Sequence, residues 1–194
     1  MGPMVGASPG TLFLGLDLST QSATGILLDG SLSPAAPTLS VNFERSLPEY
    51  GTKAGMRVAA GGVVTSPVRM WLAALDQLMD GLAATGLLAR VAAISVSGQQ
   101  HGSVYWSAEG IQTIGRWRNG AADWSSFSFA RELHDGCFAL AEAPIWADSS
   151  TEEQCAAFET FLPGGAAALA ATTGSRAYAR FTGPQITAVS QRTP

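Results

Sequence analysis

The chain has 194 residues, a net charge of −4, 46% hydrophobic and 13% charged residues, a composition that suits one folded domain or slightly more around a sizeable core. Its single lysine, Lys53, and dispersed arginines argue against a nucleic-acid face, which needs clustered cations. No apolar run reaches the ~18 residues that a membrane span requires.

Residues 1–10, MGPMVGASPG, read as a flexible head. They lack the basic stretch and apolar run of a secretory signal, and Gly6 stands where a myristoylation signal has Ser or Thr. From Leu12 to Leu18 an apolar run predicts a buried strand, with Ala23 to Leu28 as its partner across a short polar turn. The alternating stretch Thr38 to Ser46 predicts a third strand, completing an antiparallel meander. Residues 47–65, rich in glycine, read as a long loop. Ser66-Pro67 then predicts a helix start, with serine as cap and proline in the first position. Val68, Trp71, Leu72, Leu75, Leu78, Met79 and Leu82 recur at three and four along one helical face, and Gly86 ends the helix. Val91 to Val96 predicts a core strand, so the order is β-β-β-α-β.

Beyond Trp106 the pattern weakens. Residues 125–136 suggest a short helix and 142–151 a strand ending in a polar cap. Residues 150–162 predict a helix with Ser150 or Thr151 as cap and Glu152 and Glu153 in its first turn. Residues 164–174 suggest a further short helix, and Gly183-Pro184 opens a last one. The sequence stops before a C-cap or closing strand, so the expectation is a domain incomplete at its C-terminus. The apolar surface left uncovered would then favour aggregation or partial unfolding of the isolated chain. Cys137 and Cys155 form no CxxC pair and read as unpaired thiols of a reducing compartment, with the cytosol as expected location.

Four stretches carry side chains suited to chemistry. In GLDLSTQSATG, Asp17 and the hydroxyls of Ser19, Thr20 and Ser22 crowd one turn. Such a turn can wrap a phosphate while Asp17 holds a hydrated Mg²⁺; alternatively it is an ordinary hairpin in which Asp17 caps its own turn. In SGQQHG, Gln99, Gln100 and His101 follow an apolar strand. They either meet a polyol, whose hydroxyls donate and accept, or serve as satisfied structural groups. In WADSST, Trp146 offers a flat apolar wall, and Asp148 is either a pocket acid or a helix-capping group. In GSRAYARFTG, Arg176 and Arg180 stand four apart, on one side if the segment is helical. Their guanidinium forks can hold vicinal hydroxyls or a phosphate oxygen, or remain solvated and salt-bridged.

Taken in order, GLDLSTQSATGILLD, LPEYGTKAGM, VTSPVRMWLAALD, SVSGQQHGSVYW, IWADSSTEEQC and GSRAYARFTGPQI resemble the FGGY family of carbohydrate kinases, most of all its eukaryotic-type xylulokinase branch. The resemblance spans about 180 residues. It implies an α/β fold of the ribonuclease H-like, actin and sugar-kinase type, in which a first domain holds the sugar and a second supplies most of the ATP site. Residues 11–194 correspond to that first domain, truncated, and the second ATP-binding domain lies outside this chain. The implied reaction moves the γ-phosphoryl group of ATP, with Mg²⁺, onto a terminal hydroxyl of D-xylulose. The resemblance further implies that Asp17, Ser19 and Thr20 form the phosphate/Mg²⁺ loop, with Asp17 reaching the metal through water. It implies sugar contacts at Gln100, His101, Asp148 and Arg180; Gln99 and Arg176 match less closely. The family's catalytic aspartate sits in a Gly-Asp-Asn motif that this sequence lacks, so no catalytic residue is assigned and the isolated chain is expected to be inactive. A kinase for glycerol or ribulose, or a non-catalytic sugar-binding module, are the alternatives. An actin- or chaperone-like nucleotide switch fits GQQHG poorly.

Overall fold

A computed structural model of the protein describes residues 10–120 and 126–192. The head expected at residues 1–10 therefore lies, but for Gly10, outside the described residues. Strand β1 (Leu12–Leu18) pairs antiparallel with β2 (Ser22–Leu28), and β2 antiparallel with β3 (Leu39–Asn42), as the meander predicted. After helix α1 (Phe43–Ser46) come β4 (Arg57–Val58) and β5 (Val64–Pro67), then helix α2 (Val68–Ala84) and β6 (Val91–Gly98). Strand β6 lies parallel to β1, giving the sheet order β3-β2-β1-β6. The β-β-β-α-β skeleton is thus present, with a small insertion before α2. The helix buries Val68, Trp71, Ala74, Leu78 and Leu82 on the face that the three-four spacing marked. Gly86, at φ +69°, follows its last turn.

Several local expectations fail for identifiable reasons. The third strand stops at Asn42, because the Asn42 side chain accepts the Arg45 N–H at 3.1 Å and caps α1. That turn drives Phe43, fully buried, into the core. Residues 47–65 are not one loop: β4 and β5 form a hairpin, and β7 (Glu142–Pro144) joins them in a second sheet of order β4-β5-β7. Ser66 is therefore a strand residue. Its buried hydroxyl donates to the Gly55 carbonyl at 2.7 Å, so Pro67 is left as the N-cap of α2 with no side-chain bond.

Downstream, α3 (Ala108–Arg118) was not anticipated; Ser107 caps it by accepting the Gly110 N–H. Helices α4 (Phe129–Glu132), α5 (Glu152–Phe161), α6 (Gly165–Thr173) and α7 (Thr182–Arg192) fall where helices were expected. Thr151 occupies the cap position of α5, yet its hydroxyl donates to Ala179 instead. Strand β6 is apolar, and among the described residues it has a neighbouring strand on one side only. It forms one edge of the sheet, and Ile94 and Val96 are 60% and 69% exposed. Beside it a groove of about 470 Å³ runs between sheet and α2, lined by Leu16, Trp71, Leu75, Val96, Trp106 and Phe129 among others. Both cysteines are unpaired, Cys137 buried. Among the described residues no helix is long and apolar enough to cross a membrane.

Candidate functional site

Because β1 and β6 run parallel, their C-terminal ends reach the same edge of the sheet, where open α/β sheets bind ligands. Leu18 pairs with Gly98, and the Gln99 N–H donates to the Leu18 carbonyl at 3.0 Å. This register sets the Ser19–Gln21 turn beside Gln99, Gln100 and His101, some eighty residues further along. The turn is closed by the Ser19 N–H and hydroxyl, both donating to the Ser22 carbonyl at 3.0 and 3.1 Å. Asp17 sits one residue before the end of β1 and accepts the Ser97 hydroxyl at 2.5 Å across the parallel pair.

Two further segments complete the wall. The Ser103 N–H donates to the Pro144 carbonyl at 3.1 Å, tying the loop after His101 to β7. Trp146, just beyond β7, donates its indole N–H to the Thr20 hydroxyl at 2.9 Å. His101 adopts a left-handed backbone, φ +58°, and its ring stacks on Phe181 at 4.9 Å with an interplanar angle of 28°. Arg180 lies over Tyr178 and Phe181, 5.2 and 5.7 Å from the ring centroids.

The result is one cavity of about 540 Å³, within the usual range for small-ligand sites, lined by Asp17, Ser19, Thr20, Gln100, His101 and Arg180 together with Gln99 and Trp146. Eight residues singled out in the sequence thus meet. Asp148 does not join them. It is 3% exposed, and its carboxylate accepts four donors: the Val64 N–H (2.9 Å), the Ser150 N–H (3.0 Å) and hydroxyl (2.8 Å), and the Gln185 amide (2.7 Å). Gln185 also donates to the Ala179 carbonyl at 2.9 Å, so Asp148 anchors the segment that carries Arg180.

Asp148 and Arg176 border an adjoining cavity of about 630 Å³ that shares Trp146 and Arg180 with the first. The segment holding the two arginines is not helical, which removes the premise that put them on one side. Arg176 pairs with Glu159 of α5 at 3.0 and 3.1 Å. That bond holds the Glu159 carboxyl below its ordinary 4.5.

Two contributors were not foreseen. Phe181 gives the His101 ring its stacking partner; the adjacency of an aromatic to Arg180 was the available signal. Gly55 supports the turn from beneath: at φ +77°, a Cβ there would come 1.8 Å from the Thr20 carbonyl oxygen. Glycine in GTKAG read only as loop composition.

The overall fold is that of sugar kinases. The structure aligns with a xylulose kinase from Brucella ovis at TM-score 0.62 and 18% identity, covering 93% of this chain and 29% of that one. It aligns with an ADP-bound glycerol kinase from Plasmodium falciparum at TM-score 0.63 and 16% identity, covering 95% and 29%. Sequence narrows the class. A xylulose kinase of Rattus norvegicus is 43% identical over 186 residues, 93% of this chain and 32% of the relative, and xylulose kinase 2 of Arabidopsis thaliana is 42% identical over 181 residues, 92% and 31%. The chain is similar in sequence to xylulose kinases and in fold to sugar kinases. It spans about a third of the length of these curated relatives. No family model matches it.

Proposed function

We propose that residues 11–194 form the sugar-binding part of a cytosolic kinase that transfers the γ-phosphoryl group of ATP to a terminal hydroxyl of D-xylulose in its linear form, giving D-xylulose 5-phosphate. The observation that carries this reading is the single cavity in which Asp17, Ser19 and Thr20 face Gln100, His101 and Arg180. One side is a hydroxyl-rich turn with a carboxylate, suited to a phosphoryl group. The other presents an amide, an imidazole and a guanidinium, which together can donate to and accept from a row of hydroxyls. A phosphoryl donor and a linear polyol would meet within this one cavity.

The roles divide accordingly. Gln100, His101 and Arg180 bind and orient the sugar, with Phe181 holding the imidazole and Arg180 in place. The turn carrying Ser19 and Thr20, its hydroxyls held by Ser22, Trp146 and Gln99, borders the space for the transferring group. Asp17 has one carboxylate oxygen engaged by Ser97 and fits a Mg²⁺ that arrives on the nucleotide phosphates and is held through water. When bound, that ion would offset charge developing on the phosphoryl oxygens. Asp148 acts through Gln185 and Ala179 as a positioning residue for Arg180. The 194 residues contain no Gly-Asp-Asn motif to supply a general base, so the role assigned to them is to bind sugar without turning it over.

Calorimetric titration of D-xylulose, D-ribulose and glycerol into the protein tests the reading. D-Xylulose should bind tightest, and His101→Ala should weaken it about tenfold or more, the 1.4 kcal/mol of one good polar contact. Binding undiminished by His101→Ala, or preference for glycerol, would overturn it.

A further inference from the structure

The hydrogen bonds around Thr20 have a direction. The Trp146 indole N–H can only donate, so the Thr20 oxygen must accept it at 2.9 Å. The Thr20 proton then points the other way, to Gln99 Oε1 at 3.4 Å. With its oxygen so engaged, the Gln99 amide presents Nε2 as a donor. That nitrogen is buried and has no hydrogen-bond partner among the described residues. Buried donors without partners are rare and usually mark a place that a ligand or water fills. Gly102 leaves room there: a Cβ at that position would stand 3.3 Å from Gln99 Cγ and 3.8 Å from Nε2. Gln99 lines the same cavity as Gln100 and His101.

We infer that Gln99 is a specificity-determining residue whose Nε2 donates to the carbonyl oxygen of a linear ketose, with Thr20 and Trp146 as the positioning residues that set the amide's orientation. The inference rests on the sugar-binding reading of this cavity. A carbonyl is an acceptor only and meets a fixed donor without loss. A hydroxyl in the same place must turn its own proton elsewhere, and the Thr20 proton and Gln99 oxygen beside it are already engaged with each other. A pocket built this way favours a ketose over the polyol obtained by reducing it, because discrimination is strongest where a buried polar group would be left mispaired.

The test compares D-xylulose with xylitol, which differs only in carrying a hydroxyl in place of the carbonyl. The unaltered protein should bind D-xylulose about ten times more tightly than xylitol. Gln99→Met should weaken D-xylulose ten- to a hundredfold and leave xylitol within about twofold. Thr20→Val should narrow the preference in the same direction. In the unaltered protein, the Gln99 side-chain amide resonances should move on adding D-xylulose and stay put with xylitol, a readout that survives if a variant fails to fold. Equal losses for both sugars in Gln99→Met, or amide resonances indifferent to D-xylulose while it binds, would overturn the role of Gln99 and leave the sugar-binding reading intact. Failure of the unaltered protein to bind either sugar would overturn both.

Discussion

Asp17 and Asp148 carry the same side chain, stand near the ends of strands, and border cavities that share Trp146 and Arg180. Their surroundings separate them. Asp148 is buried and surrounded by four donors. Asp17 is half-buried, and Ser97 is its one side-chain partner given by the geometry. A buried carboxylate with its lone pairs filled holds structure together, and one with oxygens still facing a cavity is available to a ligand.

The same one-atom change should therefore have opposite readouts at the two positions. In Asp148→Asn, the amide NH₂ must face at least one of the donors now aimed at the carboxylate. Thermal denaturation should report a loss of about 2–4 kcal/mol, a Tm fall of about 5–15 °C, with weaker sugar binding as the Ala179–Arg180 segment loosens. Asp17→Asn keeps an oxygen for Ser97 and should change stability by less than about 0.5 kcal/mol. A mild Asp148→Asn would break the contrast.

Gly55→Ala gives an intermediate effect and sharpens the contrast from the other side. It disturbs the Ser19–Gln21 turn without touching a charged group. The positive φ and the clash with the Thr20 carbonyl should cost about 2 kcal/mol, seen in denaturant unfolding, with D-xylulose affinity falling in step. Normal stability would mean that the turn yields easily and does not preorganise the site.

The smallest effect belongs to Arg176. Its hydrogen bond to Glu159 depresses the carboxyl below 4.5, so the pair's contribution is present above that pH and lost as pH falls through the lower folded value. Arg176 is exposed and Glu159 half-buried, and solvent around the guanidinium keeps the contribution small and sensitive to salt. Melting curves of Arg176→Ala and the unaltered protein should nearly coincide at pH 7 and merge as pH falls through the lowered Glu159 carboxyl range. D-Xylulose affinity should be unchanged.

Much of this organisation was legible in the residues. Period-two and period-three-four patterns located β1, β2 and the buried face of α2, since each depends on neighbours along the backbone. The polar clusters after β1 and β6 stood out because side chains that need partners interrupt apolar runs. The β4-β5-β7 sheet was not legible, because short strands of mixed composition are held by a partner some eighty residues away. Helix α3, with few apolar residues, offered a weak pattern. The role of Ser66 was misjudged for a related reason: a serine before a helix caps it only when nothing better is within reach, and the Gly55 carbonyl is.

By itself the sequence determined β1, β2, α2 and the helices from α4 onward, and marked the polar clusters after β1 and β6, because those properties are local. Tertiary structure alone decided that the ends of β1 and β6 meet, that Arg180 turns toward His101 while Arg176 turns to Glu159, and that Asp148 is enclosed. It also decided that apolar β6 lies at an exposed edge. Burial and pairing are properties of what packs against a residue, and register between distant strands, together with the path of residues 174–181, sets that packing.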